Sequence, residues 1–111
     1  MKLNLIFGEQ IKNRMLYMII ERFHPGKVKA MYLRFEEKGR MLPEGVTYLN
    51  SWINEEVTVC YQLMEAESLE KIQEWTRHWN DLVEFEITPV ISSAQAKEKV
   101  SGQDDPGQNS L

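Results

Sequence analysis

The stretch from Pro43 to Glu67 constrains the fold more than any other. It reads P-E-G-V-T-Y-L-N-S-W-I-N-E-E-V-T-V-C-Y-Q-L-M-E-A-E, with runs rich in Val, Tyr, Ile and Trp on either side of the polar break Asn54-Glu55-Glu56. β-Branched and aromatic runs around a short polar turn predict a β-hairpin. If Ile53 pairs with Val57 across a three-residue loop, alternation assigns the two faces. Leu49, Ile53, Val57, Val59, Tyr61 and Leu63 fall on one, which reads as clean core. Tyr48, Asn50, Trp52, Thr58, Cys60, Gln62 and Met64 fall on the other, which mixes polar groups with aromatic ones. A slip of a single residue exchanges the faces.

A strand and a helix precede the hairpin, and a helix and a strand follow it. Met15 to Phe23, M-L-Y-M-I-I-E-R-F, is almost continuously apolar and predicts a strand buried on both faces. His24-Pro25-Gly26 breaks it, and proline suits a helix start. Val28, Met31, Tyr32 and Phe35 then recur at i, i+3, i+4 and i+7, one helical stripe, with Lys29, Arg34, Glu36, Glu37 and Lys38 off it. Gly39 loosens the end of that helix, and Pro43-Glu44-Gly45 closes it. Downstream, Ser68 is a suitable N-cap, and Leu69, Ile72, Trp75, Trp79 and Leu82 form the buried stripe of a second helix. From Val83 to Ile91, Phe85, Ile87 and Ile91 alternate with Glu84, Glu86 and Thr88, a strand with a dry and a wet face. Pro89 lacks an N–H and predicts an edge position or a bulge there.

Residues 15–91 thus read as one α+β domain. Residues 92–100, with Lys97, Glu98 and Lys99, predict a short helix, and 101–111 are too polar to offset their ordering entropy and predict a disordered tail. Residues 1–14 read as an extension that need not be native, since Met15 is an alternative start; Leu3 to Phe7 as an extra edge strand is the other reading. With 42% hydrophobic and 27% charged residues the chain is globular. A net charge of −4 argues against nucleic-acid and anionic-membrane partners, which need a basic patch. No apolar run nears the roughly 18 residues of a membrane span, and Leu3 to Phe7 is shorter than the ~7–15 residues of a signal core. The lone Cys60 cannot form an internal disulfide, which suits a reducing cytoplasm.

The order β-α-β-β-α-β has a compact solution in the ferredoxin-like sandwich, a four-stranded antiparallel sheet with two helices on one face. That arrangement leaves the other face bare. Tyr48, Trp52, Cys60 and Met64 would then make an exposed patch of the kind that marks an interface. A homodimer packed sheet to sheet about a two-fold axis would bury it.

Three blocks, M-L-Y-M-I-I-E-R-F, P-E-G-V-T-Y-L-N-S-W-I-N-E-E-V-T-V-C-Y-Q-L-M-E-A and E-W-T-R-H-W-N-D-L-V-E-F-E-I-T-P-V-I-S-S, resemble a family of small bacterial proteins known only as a domain of unknown function. The resemblance spans Met15 to Val100; residues 1–14 and the tail depart from it. It implies the dimeric α/β-barrel version of the ferredoxin-like fold and no reaction. Among barrels of that kind some degrade haem, with a helix histidine as axial ligand beside Trp and Asn; by that resemblance His78, Trp75 and Asn50 are the candidates here. The first strand, however, lacks the asparagine that pattern wants. Others oxidise aromatic substrates without a cofactor, and Tyr48, Asn50 and Trp52 would be the matching trio.

Each candidate has a plainer reading. His78 lies at the rim of the Trp75–Trp79 stripe and reads as a solvated helix histidine. Tyr48, Asn50, Trp52, Cys60 and Gln62 read as a pocket or an interface with a polar centre. His24, beside Pro25, reads as a helix cap or a solvated side chain. No Lys, Arg or His lies within two positions of Cys60 along its strand to activate it. Two histidines, one cysteine and scattered carboxylates show no metal-ligand spacing. The sequence therefore predicts a cytoplasmic homodimeric module that binds a small molecule or a protein, with no cofactor, no metal and no catalysis. The alternative is a small monooxygenase-like enzyme, cofactor-free or haem-using, with its pocket between sheet and helices.

Overall fold

The computed structural model describes residues 14–102. In chain order the elements are β1 (Met15–Phe23), α1 (Val28–Lys38), β2 (Val46–Ile53), β3 (Val59–Ala66), α2 (Leu69–Thr76), β4 (Val83–Val90) and α3 (Ser93–Ser101). The strands pair antiparallel in the order β2-β3-β1-β4. This is the ferredoxin-like β-α-β-β-α-β arrangement, with α3 added after it. Pro89 sits in β4, an edge strand, where a missing N–H is tolerated. The expectations for residues 1–13 and 103–111 lie outside the described residues. Arg14, the first described residue, bonds Glu65 through Nε at 3.1 Å and Thr47 through Nη2 at 2.9 Å.

β1 is buried on one face only, not two. Tyr17, Ile19 and Glu21 are buried, whereas Leu16, Met18 and Ile20 between them are only half-covered. The hairpin is also longer than the three-residue loop expected. Ile53 pairs with Cys60, not with Val57. The Asn54 side chain holds the turn: its Oδ1 accepts the N–H groups of Thr58 and Val59, both at 2.9 Å. Val57 takes a positive φ of 57°. A shift of three residues is odd, so it exchanges the faces of β3. Cys60, Gln62 and Met64 pack beneath the helices, and Val59, Tyr61 and Leu63 face away.

A bulge in β2 adds a second exchange. Tyr48 pairs with Met64 while Asn50 pairs with Leu63, leaving Leu49 as the extra residue. Tyr48 and Ser51, three apart, would face opposite ways in a regular strand, yet their hydroxyls lie 2.7 Å from each other. Tyr48 and Ser51 therefore share the helix side, and Asn50 and Trp52 take the other.

The core is one cluster between sheet and helices, formed by Tyr17, Ile19, Met64 and Ala66 from the central strands, Ile72 and Trp75 from α2, and Trp79, Leu82 and Val83 after it. Helix α2 ends at Thr76, earlier than the stripe implied. Trp79 and Leu82 reach the core from tight turns closed by Trp79 N–H to Thr76 O (3.0 Å) and Leu82 N–H to Trp79 O (2.9 Å). Ser68 occupies the N-cap position of α2 but makes no side-chain capping bond. Ser92, by contrast, caps α3 in a reciprocal box with Gln95.

Candidate functional site

Helix α1 does not close down on the sheet. Its stripe of Met31, Tyr32 and Phe35 stands over a cavity of about 90 Å³ whose floor is Glu21 of β1 and Cys60 and Gln62 of β3. Ser51 and Ile53 form the β2 side, and Trp75 and Trp79 form the opposite wall. Met31 is half-buried, and Tyr32 and Phe35 are 43% and 39% exposed, so the mouth opens along α1.

Arg40 supplies the cation of this site. Gly39, with φ 67° and ψ −159°, and Met41, with φ 59°, bracket it in conformations that side chains disfavour. The kink they make turns the Arg40 carbonyl toward the two tryptophans. Trp75 Nε1–H donates to it at 2.9 Å and Trp79 Nε1–H at 3.1 Å. One main-chain oxygen thereby satisfies both buried indoles. The Arg40 guanidinium lies over the Tyr48 ring at 3.5 Å and within 5.1 Å of the Phe35 ring centre. Its Nε donates to Gln62 Oε1 at 3.3 Å.

Gln62, 3% exposed, relays that bond to the acid. Its Nε2 donates to Glu21 Oε2 at 3.0 Å. Glu21 is itself only 9% exposed. Burial pushes its carboxyl up to about 7, and the positive charge of Arg40 holds the rise back. A carboxylic acid poised at neutrality in an aromatic pocket is the chemically distinctive group of this chain. Cys60, beside it, goes the other way in reactivity. Burial first, and the Glu21 charge second, push its thiol up to about 12, so it stays protonated and a poor nucleophile.

The sequence match that identifies the chain runs over residues 15–104 and is to the domain of unknown function DUF3303. This chain belongs to the DUF3303 family. No curated protein sequence matches it. A NIPSNAP-like domain protein of Burkholderia xenovorans, uncharacterised, superposes with a TM-score of 0.50 at 14% identity, covering 72% of this chain and 85% of that one. A NIPSNAP family protein of unknown function from Agrobacterium tumefaciens gives 0.44 at 16% identity, over 71% and 90% of the two chains. A protein of Chloroflexus aurantiacus, described as a candidate antibiotic biosynthesis monooxygenase, gives 0.39 at 17% identity, over 70% and 95%. The first of these likenesses bears on the fold alone.

In this DUF3303 protein the residues grouped by sequence are divided by the sheet. Cys60 and Gln62 line the cavity, and Tyr48 lies under Arg40 at its edge. Asn50 and Trp52 are exposed on the far face. Tyr48, Asn50 and Trp52 therefore do not surround a common space. Nor do His78, Trp75 and Asn50: His78 is exposed in the turn after α2, where its carbonyl accepts from Arg34 Nη1 at 2.8 Å, while Trp75 is buried. Among the described residues, no group of three or more His, Cys, Asp or Glu side chains could hold a metal ion, and no helix is long and apolar enough to cross a membrane. Sequence reasoning passed over Glu21 and Arg40. The signal for Glu21 was present: a lone acid near the end of an otherwise apolar strand run. Nothing local distinguished Arg40 from a surface arginine after a helix.

Proposed function

We propose that this DUF3303 chain is a small-molecule-binding module that acts as a homodimer and carries out no reaction of its own. The observation that supports it is the cavity between α1 and the sheet, open to solvent, walled by aromatic rings and floored by a Glu21–Gln62–Arg40 chain of hydrogen bonds. Concave, mostly apolar sites with a few converging polar groups are what small ligands occupy. Dimerisation is supported by the face the helices leave bare. There Trp52 pairs with Tyr61 and Tyr61 with Ile20, while Leu63 pairs with Met18. Trp52 and Tyr61 are 54% and 41% exposed. Contiguous exposed apolar side chains of this kind favour association, and a self-complementary face favours a two-fold dimer. Cys60 and Met64, expected at that interface, lie under the helices and drop out of it. A buried, unpaired Cys60 thiol accords with a cytoplasmic setting.

Sedimentation at micromolar concentration tests the assembly. We expect a dimer, and Trp52→Glu shifts the mass to that of a monomer. A wild-type monomer would refute the dimer, and an unshifted Trp52→Glu dimer would move its interface off the bare face. Quenching of Trp75 and Trp79 fluorescence by a small neutral ring compound such as toluene tests the cavity.

A further inference from the structure

The polar groups of the cavity are incompletely used. Glu21 accepts at Oε2 from Gln62, and Oε1 has no hydrogen-bond partner among the described residues. Arg40 donates through Nε alone, and no carboxylate lies within ion-pair distance of it among the described residues. Tyr48 and Phe35 lie against the guanidinium. Stacking of that kind covers a guanidinium's faces and leaves its Nη edge open to a planar, bidentate acceptor. Gln62 stands between the two groups, so they do not neutralise one another by contact.

We propose that the cavity takes a compact monocarboxylic acid, its carboxylate paired with the Arg40 guanidinium and hydrogen-bonded by a protonated Glu21, so that ligand and one proton enter together. The proposal rests on the cavity being a ligand site and names the ligand's class. An aminated ligand would bring a second cation beside Arg40 into the same small space. A hydrocarbon would leave the guanidinium and the Glu21 oxygen desolvated without a partner, which is costly. A carboxylate satisfies both, and its apolar remainder, one ring or a short chain, meets Phe35, Trp75 and Trp79.

The proton is supplied locally. Around Glu21 the other titratable groups are Cys60 from β3, Tyr32 from α1 and Arg40 with Tyr48 behind it; β4 presents Phe85 opposite, and α2 presents Trp75. Burial pushes Glu21 close to neutrality, at about 7. Below that value it is already a donor. Above it, binding an anion requires taking up a proton.

The test uses the full chain, with benzoate as probe, toluene as its neutral counterpart and benzylamine as its cationic one, read by tryptophan fluorescence and calorimetry. Benzoate, ionised throughout the range, binds best at pH 6 and loses about tenfold in affinity per pH unit above about 7. Calorimetry at pH 8 in buffers of different ionisation heat shows uptake of about one proton per benzoate. In Glu21→Gln the amide donates at every pH, so benzoate binding at pH 8 survives and its pH slope disappears. Arg40→Gln loses benzoate but keeps toluene, because the carbonyl that anchors Trp75 and Trp79 belongs to the main chain. Preference for benzylamine, a pH slope that persists in Glu21→Gln, or toluene binding without benzoate would each overturn the proposal alone. Failure of both toluene and benzoate would overturn the ligand site as well.

Discussion

Helix α2 buries Ile72 and Trp75 within eight residues, whereas α1 buries none of its eleven. Both lie on the same side of the same sheet, so the difference is in what each presents. The stripe of α2 meets apolar strand positions, Met64 and Ala66 among them, and only its Trp75 ring reaches the cavity wall. The stripe of α1 faces a floor containing Glu21 and Gln62, which cannot be sealed under apolar side chains without losing their hydrogen-bonding options. One helix therefore packs into the core, and the other stands over an open cavity. The molecule keeps α1 in place from outside the cavity instead. Arg34 clasps Asp81 with two 2.8 Å bonds and also bonds the His78 carbonyl, tying α1 to the segment before β4. The Arg34 hydrogen bonds pull the Asp81 carboxyl down to about 2.

The largest expected effect is on the better-packed helix, α2. Trp75 packs edge-on to Phe85, with centroids 5.3 Å apart and planes at 66°, and is 3% exposed. Trp75→Ala should cost on the order of 3–5 kcal/mol, a large share of the ~5–15 kcal/mol available to a domain. Chemical denaturation measures it, and a loss below about 1 kcal/mol would mean that α2 is no better packed than α1.

The wet side should show its cost through pH. The native Glu21 carboxyl keeps a proton up to about 7, whereas an unfolded chain releases it around the ordinary 4.5. Over that interval the native state binds more protons, so stability falls as pH rises from about 4.5 to about 7 and levels off above. The loss is roughly 3 kcal/mol. In Glu21→Gln this decline should vanish, leaving the variant more stable than wild type at pH 8 and little changed at pH 4.5. Denaturation curves at the two pH values check it, and an unaltered decline would assign the effect to other groups.

The smallest effect concerns the clasp. Arg34→Ala should speed amide hydrogen exchange in α1 and leave α2 unchanged. Equal acceleration in both helices would show that they open as one unit, against the division drawn between them.

Local physics was enough to determine the elements and their order. Apolar runs, a proline-glycine break, a helical stripe and a polar turn each state their preference within a few residues, and β-α-β-β-α-β has few compact solutions. The core tryptophans were legible for the same reason, because Trp75 follows Ile72 at helical spacing. What tertiary structure alone decided was which face of each strand turned inward. Side chains alternate with a period of two, so the longer Asn54 turn sent Cys60, Gln62 and Met64 beneath the helices and the Leu49 bulge sent Tyr48 there too, while Trp52 kept the bare face expected of it. The site followed from that reversal. Glu21 and Arg40 are 19 residues apart by number, and no spacing links them; Gln62, brought beside Glu21 by the antiparallel pairing of β1 with β3, joins the two. Such a contact arises from chain crossing and burial, neither of which a linear pattern contains.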